Sequence, residues 1–204
     1  MSDRPKLTIA QPDPPDADGR RARSERSRVQ IVDAMFRLIG DGDYVPSAAS
    51  VAEEAGVGLR TVFRHFEDVD ALYRELIARL ETEILPQVMQ PWTSTDWRAR
   101  LSELISRRAR IYERIMPYKV AANLRRFQSE WLMHDYQRFL RMERSGLFGA
   151  LPDEISADKE LTSALEMLTG FQTWRRMRQD QLLTIEEAES VLQRTAKALT
   201  AHLA

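Results

Sequence analysis

The sequence predicts an all-α protein, its 204 residues allowing one domain of ordinary size or two small ones. Two observations carry this expectation. From Ser24 onward apolar residues recur at the spacing of a single helix face, with no strand-like alternation of useful length. The helix-breaking residues fall at joints, with Gly40, Gly42 and Gly56 early and Pro91, Pro117 and Pro152 later. The composition agrees: 43% hydrophobic and 30% charged residues with only 8 Gly and 9 Pro suits amphipathic helices. Cysteine is absent, which excludes disulfides, thiolate-held zinc and cysteine nucleophiles and fits a reducing compartment. No stretch approaches the roughly 18 apolar residues of a membrane span, and the N-terminus lacks a signal-peptide core, so a cytoplasmic chain without membrane contact is expected.

Residues 1–22 hold four of the nine prolines and little apolar content, which predicts a disordered arm. Ile31, Met35, Leu38 and Ile39 form one face of a first helix, stopped by Gly40 and Gly42. Ser47 is placed to cap a short second helix carrying Val51 and Ala55, and Gly56 ends it. A third helix over about 59–66 turns Val62 and Phe66 inward and Arg60, Thr61, Arg64 and His65 outward. Asp68 caps a fourth helix whose buried stripe is Leu72, Leu76, Ile77 and Leu80, ending before Pro86. Long helices at about 95–115, 118–146, 157–182 and 185–203 complete the chain, with prolines at their joints.

Net charge is close to zero, 30 Lys and Arg against 31 Asp and Glu, so any nucleic-acid affinity must come from local patches. Residues 20–28 supply one: Arg20, Arg21, Arg23, Arg26 and Arg28 against a single Glu25, readable either as a solvated tail or as a DNA-binding arm. The second and third helices, joined by Gly56-Val57-Gly58, have the plan of a helix-turn-helix that lays its second helix in the major groove of double-stranded DNA. Gly56 permits the turn, Val57 plugs the angle between the helices, and Gly58 lets the second helix begin close to DNA. Arg60 and Arg64 can fork onto guanine edges or phosphates, and Thr61 can touch a thymine methyl or a phosphate. Phe63 either stacks on the sugar-phosphate backbone or packs against the first helix, and Ser47 and His65 complete the candidate DNA-binding set.

The segment SVAEEAGVGLRTVFRHFEDVDALYREL, preceded by IVDAMFRLIGDGDY, resembles the DNA-binding signature of the TetR (tetracycline-repressor-like) family of bacterial regulators over about residues 25–80. Ala52, Ala55, Gly56, Val57, Thr61, His65, Phe66 and Leu72 stand at the family's typical positions. Phe63, Gly58 and Val69 depart from it, each replacing a polar residue, which shifts phosphate anchoring onto Arg60, Arg64, Thr61, the amides at the start of the helix after Asp68 or the arginine run. The resemblance implies a regulator, usually a repressor, that binds a palindromic operator as a homodimer and is released by a small-molecule effector. It divides the chain into the arm (1–22), a DNA-binding domain (23–67) and a ligand-binding and dimerisation domain (68–204). It also implies a dimer-forming pair of last helices, carrying Leu161, Leu165, Leu168, Gln172 and Trp174 on one and Ala188, Val191, Thr195, Leu199 and His202 on the other.

Aromatic residues crowd the middle of the chain, and ligand pockets are apolar with a few placed polar groups. Asn123, Phe127, Gln128, Trp131 and His134 are therefore the candidate effector contacts. Glu130 and His134 lie four apart but read as a hydrogen-bonded pair rather than a metal site. No P-loop, nucleophile elbow or HExxH motif is present, and Gly56-Val57-Gly58 lacks the strand, third glycine and acidic residue of a dinucleotide loop. Neither catalysis nor a cofactor is expected. The competing expectations are a helical small-molecule-binding protein or enzyme retaining a degenerate DNA-binding module, and a protein-interaction dimer docking through the arm.

Overall fold

The computed structural model describes residues 16–203, with side chains at residue 19 and from residue 21 onward; the expected disorder of residues 1–15 and the Arg20 side chain lie outside the described residues. The elements are α1 (Asp16–Gly40), α2 (Ala48–Glu54), α3 (Leu59–His65), α4 (Val69–Val88), α5 (Trp97–Arg125), α6 (Glu130–Phe148), α7 (Asp153–Ser156), α8 (Lys159–Thr169), α9 (Phe171–Arg175) and α10 (Ile185–Leu199). There is no strand among the described residues. None of their helices is long and apolar enough to cross a membrane.

Helix starts follow the side chains that can accept an orphaned amide. Ser47 accepts from Ser50 N at 3.0 Å, Asp68 from Ala71 N at 2.7 Å, Asp96 from Ala99 N at 2.8 Å and Ser129 from Leu132 N at 3.1 Å. Thr184 and Glu187 form a reciprocal capping box at the start of α10. Gly56, with φ of 65°, makes the reversal between α2 and α3 that a side chain would resist.

Four boundaries differ from the sequence expectation. Helix α4 runs through Pro86, expected to lie beyond its end, and stops at Val88. The expected arm is helical from Asp16 through Ala22, as the first turns of α1. Pro15 is the last proline before this run, the following Ala, Arg and Glu favour helix, and Arg23 and Arg26 donate to the carbonyls one turn back, Gly19 at 3.1 Å and Ala22 at 3.3 Å. Pro117 does not break α5, which runs through it for 29 residues. A proline inside a helix costs about 3 kcal/mol. Burial of Ile115, Tyr118, Ala121 and Ala122 on either side of it offsets that cost. The chain turns instead at a 3-10 segment, Arg126–Gln128. The expected helix over 157–182 divides at Gly170, whose backbone is extended and where a Cβ would stand 3.0 Å from the Glu166 carbonyl oxygen. Its last turn, Arg176–Asp180, widens to a π-helix.

The helices enclose two apolar cores. The first gathers Ile31, Met35 and Ile39 of α1, Val51 of α2, Val62 of α3, Leu72 and Leu76 of α4, Tyr118 of α5 and Leu132 of α6. The second gathers Leu104, Ile105 and Ile115 of α5, Leu147 of α6, Leu165 of α8, Phe171 and Trp174 of α9, and Leu192 of α10. Helices α4 and α5 supply residues to both cores, which joins them along one continuous stripe.

The second core corrects the expected dimer face. Leu161, Leu165, Trp174 and Ala188 are buried within their own chain, and Leu168, Val191 and Leu199 pack partly buried against the same core. Thr195 is half-buried and bonds back to the Val191 carbonyl, leaving only Gln172 and His202 exposed. The spacing is that of a buried stripe, covered by α5 over α9 and α10 and by α6, α9 and α10 over α8. Leu165→Ala is therefore expected to lower unfolding free energy by about 2–5 kcal/mol in chemical denaturation, without changing the oligomeric state seen in sedimentation.

Candidate functional site

Helix α3 is anchored by Val62 and the following Phe66, both buried in the first core, while Val57 packs partly buried in the angle between α2 and α3. This leaves Arg60, Phe63 and Arg64 outward, with Thr61 half-buried beside them. Phe63 is 52% exposed and stands outside the first core. Ser47 sits exposed at the start of α2, its hydroxyl 2.8 Å from that of Ser50. Gly58 has an ordinary extended backbone, and a Cβ there would meet nothing within 4 Å. Its significance is that it offers no side chain to cap α3.

The arginines of residues 20–28 do not act as one patch. Arg21, Arg23 and Arg26 are exposed along the first turns of α1, and Arg23 lines a shallow notch with Ser24, Ser27 and Arg64. Arg28 is different: it donates to the His65 carbonyl at 3.2 Å, pairs with Glu75 and lies 4.7 Å over the Phe66 ring. It straps α1 to the end of α3 and to α4. His65 is half-buried, with Nε2 enclosed and unpartnered. Burial first, then Arg64 and Arg28, hold its pKa below 6.5, so the ring is neutral at neutral pH. Arg28 and His65 thus position α3 rather than facing outward from it.

At the other end of this unit, Asp70 in the first turn of α4 accepts from Arg125 Nε at 2.9 Å and from the Ser129 hydroxyl at 2.6 Å. Ser129 is also the cap of α6, so one carboxylate ties the exit of α3 to the α5–α6 corner. Burial opposes ionisation of Asp70, but the hydrogen bonds from Ser129 and Arg125 outweigh it and hold the pKa below its ordinary 3.8.

A cavity of about 150 Å³ lies between α4, α5 and α6. Its wall is mainly Ile77, Leu80, Ile84, Leu104, Ile111, Ile115, Phe139 and Met142, with Trp92 and Val88 toward the α4–α5 linker. None of Asn123, Phe127, Gln128, Trp131 and His134 lines it. They stand at the α5–α6 corner, where Phe127 is 75% exposed, Gln128 and His134 are exposed, and Trp131 packs on the first core. The polar residues of the cavity are instead Glu81, Arg107, Arg108, Tyr112, Lys119, Asp135 and Glu143. Sequence reasoning passed over them, although Arg107, Arg108 and Lys119 fall on the same helical stripe as Leu104, Ile111 and Ile115, where charge is out of place on a core-facing surface. No cluster of three or more His, Asp or Glu suited to a metal ion occurs among the described residues.

No protein-family model matches the chain, and no curated protein matches it.

Because the folded-state pKa of Asp70 is depressed, its ionised form stabilises the fold fully above the unfolded value of 3.8, and that contribution is lost as pH falls through the folded value. The stability gap between the parent and Asp70→Asn is expected to be constant from about pH 7 to about pH 5 and to close below about pH 4, measured by urea unfolding at each pH.

Proposed function

We propose that this chain is a ligand-responsive transcriptional regulator of the TetR type, a repressor that binds a palindromic DNA operator as a homodimer and releases it when a small molecule fills the cavity. In this reading α2 and α3 form the helix-turn-helix of a DNA-binding domain, and the helices from α4 onward form the effector-binding domain of a cytoplasmic protein. The observation that carries it is α3 itself. A helix of seven residues, pinned from behind by Val62, turns Arg60, Phe63 and Arg64 outward beside the exposed arginines of α1. Arginine forks recognise guanine edges and phosphates, and an exposed aromatic ring stacks on sugars. Neither property serves a helix that only faces water.

The route from cavity to surface also supports the reading. Helix α4 lines the cavity with Ile77, Leu80 and Ile84 and carries Asp70 at its start, directly after α3. Any ligand that spreads α4 from α5 and α6 strains the Asp70 contacts with Arg125 and Ser129 and shifts the base on which α3 stands. The effect on affinity equals the ligand's preference for the spread arrangement over the closed one.

A second reading, a helical small-molecule-binding protein whose DNA-binding module is degenerate, is favoured by the cavity together with Gly58, Phe63 and Val69, which lack polar side-chain groups for phosphate. Fluorescence titration against the DNA upstream of the protein's own gene separates the two. Arg60→Ala and Arg64→Ala are each expected to weaken binding by about 10-fold to 100-fold. Unchanged affinity in both variants would remove α3 from the interface, and ligand binding without DNA affinity in the parent would select the second reading.

A further inference from the structure

The cavity between α4, α5 and α6 is unbalanced in its hydrogen bonding, and the imbalance has one sign. Each carboxylate on its wall is satisfied from within the protein. Glu81 accepts from Arg138, Asp135 accepts from Arg138 at 2.6 Å and from Lys119 at 3.4 Å, and Glu143 accepts from the Tyr112 hydroxyl and from Phe171 N at 2.8 Å. Arg108 is likewise satisfied, giving its protons to Thr169 Oγ1 at 2.6 Å, the Thr169 carbonyl at 3.1 Å and the Glu143 carbonyl.

Two donors are left over. Lys119 is 7% exposed, and its ammonium has one long contact to Asp135 and otherwise lies 4.1 Å from the centre of the Phe139 ring. Apart from that contact no protein oxygen bonds the ammonium, and the Phe139 ring face is its other neighbour. Arg107 is 5% exposed; its Nη atoms are held by the Gln90 carbonyl at 2.6 Å, the Pro91 carbonyl at 3.3 Å and Glu103 at 2.7 Å, but its Nε is buried with no partner. Buried donors without acceptors are costly, and the cost falls when a ligand supplies the oxygen.

We propose that the cavity takes an elongated apolar molecule ending in a carboxylate, with the carboxylate on Lys119 and the apolar body extending along α5 toward Trp92. This rests on the effector cavity of the preceding section and adds the chemical class of its occupant. The Lys119 end holds the head group because an ammonium is a mobile point charge with unused donors, whereas the Arg107 fork is already engaged and presents a single N–H. Lys119 and Arg107 are twelve residues apart on one helix, about 18 Å along its axis. That length and the aliphatic walls suit a chain rather than a compact ring system. A cationic head group would meet Lys119 with like charge and find no unsatisfied carboxylate, and a neutral hydroxyl would satisfy fewer donors.

Isothermal titration calorimetry of the full chain with octanoate, octan-1-ol and octylammonium tests the assignment. Octanoate is expected to bind about tenfold or more tightly than octan-1-ol, with octylammonium weakest. In Lys119→Met, affinity for octan-1-ol is retained and the advantage of octanoate disappears. If octan-1-ol or octylammonium matches octanoate in the parent, or if Lys119→Met keeps the octanoate advantage, the carboxylate assignment is overturned while the effector cavity stands. If none of the three binds the parent, both fall. The ranking in the parent decides the matter even if the variant does not fold.

Discussion

Burial of three cations on the core-facing stripe of α5 sets the arrangement of everything packed around it. An ion moved from water to a protein interior loses several kcal/mol of solvation unless partners replace the water. Arg107, Arg108 and Lys119 are each at most 7% exposed, so the oxygens they do meet belong to the molecule itself. Arg107 draws in the carbonyls of Gln90 and Pro91 and thereby holds the α4–α5 linker against α5. Arg108 reaches Thr169 and the Glu143 carbonyl, which fixes the α8–α9 corner and the middle of α6 together. Lys119 faces Asp135 across from α6. A helix with an all-aliphatic stripe would pack at least as favourably, but it would not dictate which carbonyl stands where.

The same charges explain why a cavity survives between α4, α5 and α6. Close packing would bring apolar side chains onto Lys119 and Arg107 and leave their N–H groups enclosed without acceptors. Holding the helices apart keeps space beside both groups, at the expense of lost dispersion contacts along the aliphatic wall. The Arg138 pair with Glu81, from α6 to α4, and the Arg114 pair with Glu83, from α5 to α4, span the gap from outside. Exposed pairs of this kind are worth about 0–1 kcal/mol each, so they hold the opening without locking it.

Helix α4 links this region to the outward face of α3. Its N-terminal turn is held by Arg125 and Ser129 through Asp70, its middle contributes to both cores, and its C-terminal half walls the cavity. Arg28 forms a matching strap on the other side, from α1 to the His65 carbonyl and Glu75. The orientation of α3 therefore depends on two polar contacts and on Val62 and Phe66, not on any bond made by Arg60, Phe63 or Arg64. Those three are free to serve whatever α3 touches.

Local chemistry made much of the fold legible in the sequence. The helical period of Ile31, Met35 and Ile39, the caps at Ser47 and Asp68, and the turn at Gly56 are short-range features, and each lies where its residues required. The outward set on α3 followed from the inward positions of Val62 and Phe66. Periodicity states only that a face is covered, however, and never by what. Leu161, Leu165, Trp174 and Ala188 have the spacing of an intermolecular face, and it took α5 and α6 packing on their helices to make that face internal. Pro117 marked a joint by its missing N–H, but burial on both sides of it carried α5 onward to Arg125. The cavity was hidden for the same reason. Arg107 and Lys119 are ordinary surface residues by type, and only the packing of α4 and α6 against their side of α5 buried them, Arg107 with its Nε unpartnered and Lys119 with one long contact to Asp135.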